Sequence, residues 1–69
     1  MITLTKLNGQ SFTLNAIYIE QVQSNPDTTI LTTSGKLLLV QETEQEVTDL
    51  VLRFYQNIGL INGVNKAGG

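Results

Sequence analysis

The sequence predicts a small α+β domain: a five-stranded antiparallel β-meander closed by one C-terminal amphipathic helix. Two patterns predict it. Short segments of alternating apolar and polar residues are separated by turn residues up to position 41. After Thr43 the apolar spacing switches from two to between three and four. The length of 69 residues allows one hydrophobic core, because two domains of half that size could not bury enough apolar surface to offset chain entropy.

The first strand is expected over residues 2–7, where Ile2, Leu4 and Leu7 stand among Thr3, Thr5 and Lys6. A second follows over 11–15, with Phe12 and Leu14 as its apolar positions. Asn8-Gly9 between them is the favoured dipeptide of a type I′ hairpin turn, since Asn tolerates positive φ and Gly adopts it freely. Asn15-Ala16 interrupts the alternation, and residues 17–23 read as a third strand rich in β-branched and aromatic side chains. Asn25-Pro26-Asp27 then reverses the chain, with Pro26 setting φ and Asp27 suited to bond backbone amides ahead of it. Residues 28–33 and 36–41 form strands four and five around a tight turn at Ser34-Gly35. Short connections imply that strands adjacent in sequence are adjacent in the sheet.

Strand five contains Leu37-Leu38-Leu39-Val40, apolar on both faces where a one-sided sheet would alternate. One face meets the core, and the other requires a cover, either the helix or another chain. The helix is expected over 44–58. Val47, Leu50, Val51, Phe54 and Ile58 fall in one stripe, Thr43-x-x-Glu46 is a capping box, and Gly59 is a left-handed stop. Residues 1–59 form the domain, and the Gly-rich segment 60–69 reads as a flexible tail.

Composition excludes much chemistry. There is no Cys and no His, so thiolate nucleophiles, imidazole bases and Cys/His zinc sites cannot be built; no catalytic, metal or cofactor site is expected, and the chain reads as no enzyme. Charged residues are 14% of the chain and apolar residues 41%, which predicts a sticky, weakly charged surface and self-association into a homo-oligomer. A net charge of −2 with Lys6, Lys36, Arg53 and Lys66 as the cations disfavours a phosphate-binding groove. The first residues lack the pattern of a secretory signal, and no stretch approaches the roughly 20 apolar residues of a membrane span, so a cytoplasmic protein without a transmembrane segment is expected.

The acidic cluster Glu42, Glu44, Glu46 and Asp49 reads as helix capping and dipole compensation rather than as a cation site, because no Gly-containing calcium loop surrounds it. Candidate partner contacts are Tyr18, Glu20 and Asp27 near strand ends or turns, Leu38 in the apolar run, and Tyr55 at the helix margin, with Phe54 assigned to the core. Asn8, Gly9, Asn15, Pro26, Gly35, Thr43 and Glu46 are assigned to turns and caps.

The ordered string Leu4-Thr5-x-Leu7-Asn8-Gly9-x-x-Phe12-x-Leu14-Asn15-x-x-x-Ile19-Glu20, then Pro26-Asp27-Thr28-x-Ile30, Gly35-Lys36, Val40-x-Glu42 and Glu46-Val47, resembles the flagellar FlbD family, which looks the same as the swarming motility SwrD group. The resemblance covers residues 1 to about 58. It implies a non-catalytic cytoplasmic flagellar accessory that supports motor power and swarming, with stator or basal-body proteins as partners and a peripheral position at the basal body. The sequence departs from the family pattern at Ile17-Tyr18, where an acidic residue commonly stands, and in the more apolar stretch after Gly35-Lys36. An alternative is a small nucleic-acid-binding regulator. Tyr18-Ile19-Glu20, the Gly35-Lys36 turn and Val40-x-Glu42 before a helix look like part of a LytTR domain, and five short strands with a helix also occur in the carbon storage regulator family.

Overall fold

A computed structural model describes residues 1–59. Its elements are β1 (Ile2–Thr5), β2 (Ser11–Leu14), a 3-10 turn (Ala16–Tyr18), β3 (Ile19–Ser24), β4 (Thr28–Thr32), β5 (Leu37–Val40) and α1 (Glu44–Asn57). The α+β class and all five strand positions agree with the sequence reading, each strand being shorter at one or both ends except β3, which is shifted. The expected tail at 60–69 lies outside the described residues.

The five strands do not form one continuous meander. β1 and β2 make a two-stranded antiparallel sheet, and β3, β4 and β5 make a three-stranded one with β4 central. The division falls where the expected third strand begins. The Asn15 side chain accepts the Ile17 N–H at 3.2 Å and caps a 3-10 turn, so Ile17 and Tyr18 leave the extended conformation and β2 cannot run on into a partner of β3. The sheets meet at the other side instead. Lys6 bridges Val40, and the Gln41 N–H donates to the Thr5 carbonyl at 2.8 Å, bringing the ends of β1 and β5 together across more than thirty residues of chain.

β3 carries a bulge that its sequence needs. Ile19 and Val22 both pack against the core, yet they are three apart and strict alternation would place them on opposite faces. The register shifts between Ile19 and Gln21, so Glu20 is the extra residue and the phase is restored.

The two Gly-containing hairpins share one geometry, which corrects the type I′ expectation. The Gly9 N–H donates to the Lys6 carbonyl and the Lys6 N–H to the Gln10 carbonyl; Gly35 with Thr32, and Thr32 with Lys36, repeat the pattern at 2.9 Å each. Gly9 and Gly35 both have φ of 90°, and no residue other than glycine has positive φ among the described residues. Each loop is therefore a type I turn followed by a left-handed glycine, which keeps Asn8 and Ser34 in the ordinary right-handed region. Asn8 contributes through its side chain, which accepts the Gln10 N–H at 2.9 Å. At the remaining turn the Asn25-Pro26 peptide is cis. There the Asp27 carbonyl, rather than its carboxylate, accepts from the Thr29 hydroxyl and the Asn25 N–H.

The helix starts as expected. Thr43 Oγ1 accepts the Glu46 N–H at 3.1 Å and Glu46 Oε1 accepts the Thr43 N–H at 2.9 Å, satisfying two of the donors that an α-helix leaves open. It ends one residue early, with Ile58 as C-cap and Gly59 at φ 84°. Val47 is fully buried, and Leu50, Val51 and Phe54 pack half-buried beside it against a core of Ile2, Leu4, Ala16, Ile30 and Val40. Ile58 leaves the expected stripe and stays half exposed. Since α1 lies against β1 and β3, it covers the inner faces of both sheets where they converge.

Candidate functional site: an outer apolar face and an inner groove

Strand five separates its side chains by pleat. Leu38 and Val40 point inward, Val40 being 2% exposed and Leu38 half-buried on the core, whereas Leu37 and Leu39 point outward at 64% and 43% exposure. The helix packs on the inner face, so of the two covers considered for the outer face the helix is excluded. Leu31, opposite Leu37 in the ladder, and the exposed Leu7 of the first hairpin extend this outer patch. The apolar surface predicted for strand five exists, but it is carried by Leu37 and Leu39, and Leu38 belongs to the other side.

That other side is not fully closed. Leu14 stands opposite Ile2, and Phe12 opposite Leu4, so all four share the inner face of the first sheet. The helix buries Ile2 and Leu4, while Phe12 and Leu14 remain half-buried. With Leu38 and Tyr18 they line a wide-mouthed groove of about 500 Å³, and Lys6 and Lys36 stand on its walls. The Lys6 ammonium sits 5.8 Å from the centroid of the Phe12 ring.

The candidate contact residues therefore fall into three places. Tyr18, 55% exposed at the end of the 3-10 turn, and Leu38 meet in the groove. Glu20 and Tyr55 share a smaller depression between β3 and the helix, where Tyr55 is half-buried and stands edge-to-face against Phe54 at 5.5 Å. Asp27 is exposed in the turn before β4, apart from both.

The acidic residues are held by local bonds. Glu46 serves the capping box, and Asp49 accepts from Gln45 Nε2 at 3.0 Å. Glu42 forms a two-point contact across the fold: Thr5 N–H donates to its Oε1 at 2.9 Å and Thr5 Oγ1 to its Oε2 at 2.8 Å. Partial burial pushes the Glu42 carboxyl up, but the Thr5 backbone and hydroxyl bonds, with its own N–H, outweigh this and hold it below the usual glutamate range. Gln41 adds a bond from its Nε2 to the Leu7 carbonyl at 3.2 Å. Sequence reasoning grouped Glu42 with the helix and overlooked Thr5, because no local spacing reveals that β1 ends beside the exit of β5. Nor does any local spacing reveal that Lys6 and Lys36, thirty residues apart, line one groove.

No helix among the described residues is long and apolar enough to cross a membrane. The described chain is thus a small α+β scaffold with a capped helix inside and apolar surface left on both sides of strand five. The family model for flagellar and swarming motility proteins, FlbD, matches residues 1–59, and the chain belongs to that family. No curated protein and no solved structure matches it.

Proposed function

We propose that this chain is a non-catalytic flagellar accessory protein that supports motor power and swarming through protein–protein contacts. It acts in the cytoplasm, peripherally at the basal body, with stator or basal-body proteins as partners, and associates with itself. Family membership over residues 1–59 supports the flagellar assignment. The observation that carries the interaction role is the outer face of β5, where, among the described residues, Leu37 and Leu39 stand 64% and 43% exposed on a chain with few charged residues to keep it apart from other proteins. The absence of Cys and His from the sequence supports a role without catalysis.

Deletion of the gene tests the reading. Swarming is expected to fail while filaments still assemble, and torque on a tethered cell is expected to fall. Normal swarming and normal torque in the deletion strain would reject the proposal.

A further inference from the structure

From the groove on the inner side of β5, opposite the face of Leu37 and Leu39, we infer a second docking site, which takes an apolar segment of a partner protein bearing carboxylates. Phe12, Leu14, Tyr18 and Leu38 give it an apolar lining, and Lys6 and Lys36 line it with them. The inference stands on this groove alone and does not depend on the flagellar reading.

Charge complementarity identifies the occupant. Of the three Lys and Arg side chains among the described residues, two line this groove, and none of the described acidic side chains does. The acidic groups stand at Glu20, Asp27 and the helix entrance, and Glu42 and Glu46 are already engaged there. Among the described residues neither lysine is held by a carboxylate; Lys6 rests over Phe12. A concave apolar lining shared with two lysines matches apolar side chains with acidic neighbours, and repels a basic segment.

The shape favours a polypeptide over an acyl chain. The groove is wide-mouthed, so a fatty acid lying in it would leave much of its methylene surface wet, forfeiting the burial that binds such ligands. A peptide instead finds hydroxyls in the lining, from Thr33 and Ser34, and the edge strand β2, which is laddered to β1 alone and lends Phe12 and Leu14 to the groove.

A display library of random peptides about twelve residues long, selected on the folded protein, tests the inference. Enriched sequences are expected to combine Leu, Ile or Phe with Asp or Glu, and a labelled synthetic copy should shift the amide resonances of Phe12, Tyr18 and Leu38. The double variant Lys6→Glu/Lys36→Glu, with its fold verified by circular dichroism, should bind that peptide about tenfold more weakly or worse, since two rim charge pairs turn repulsive. It should also bind a Lys-for-Glu version of the peptide better than the parent protein does. No enrichment, enrichment of basic sequences, shifts confined to Leu37 and Leu39, or displacement of the peptide by laurate would each overturn the inference.

Discussion

Replacing Glu42 tests whether the junction between β1, β5 and the helix holds the two sheets together. Its carboxylate accepts two hydrogen bonds from Thr5, at 2.9 and 2.8 Å, in a half-buried position. Bonds to a charged group contribute about 1.5–3 kcal/mol each when buried, and partial exposure brings the pair here to about 2 kcal/mol in total. Glu42→Ala is therefore expected to destabilise the domain by about 2 kcal/mol, which for so short a chain lowers Tm by roughly 8–16 °C. Glu42→Gln keeps an acceptor for the Thr5 N–H and can reverse the bond to the hydroxyl, so it loses the charge but not the geometry, at about 1 kcal/mol. The pH dependence separates these contributions. Because the carboxyl of Glu42 is held below its unfolded value in the folded state, its charge stabilises the fold fully above the unfolded value and ceases to do so as pH falls through the folded one. Urea unfolding followed by circular dichroism should show wild type and Glu42→Gln about 1 kcal/mol apart near pH 7 and converging as pH falls through the lowered folded-state value of Glu42. A difference that stays constant across this range, or an Ala variant as stable as wild type, would refute the reasoning.

Other substitutions test other parts of the structure. Val47→Ala removes two methyl groups from a fully buried helix position and should cost about 2 kcal/mol in the same assay, a few tenths being returned by helix propensity. Gly35→Ala meets nothing within 4 Å of the new Cβ, so its expected cost of about 1 kcal/mol comes from φ of 90° alone; Gly35→Asn should recover part of it. Leu37→Lys/Leu39→Lys should leave the unfolding midpoint within about 0.5 kcal/mol of wild type while reducing any self-association measured by light scattering. An unchanged oligomer in that variant would show that copies meet elsewhere.

The features read most directly from the chain depend on neighbouring residues. Thr43 and Glu46 lie three apart and form the capping box wherever the helix packs, and Gly59 can take the left-handed stop regardless of its surroundings. Strand positions followed from alternation, because a pleat reverses side chains at every residue. Local spacing was less informative where two motifs competed. Asn8-Gly9 suited a type I′ turn, but a loop one residue longer allows Asn8 to remain in ordinary φ and to bond Gln10 through its side chain. Asn15 was recognised as an interruption, yet whether it would merely bend a strand or cap a turn depended on what Tyr18 and Thr33 met across the fold.

The sequence by itself determined the strand and helix content, the buried stripe from Val47 to Phe54, and the absence of Cys and His. These properties reside in residue type and near-neighbour spacing. Tertiary structure alone decided that β1 closes on β5, that Thr5 clamps Glu42, and that Leu38 looks into a groove while Leu37 and Leu39 look out. A run of four apolar residues satisfies either orientation equally well. Only the phase of the ladder with β4, set by the turn at Thr32–Lys36, chooses which two of them face the core.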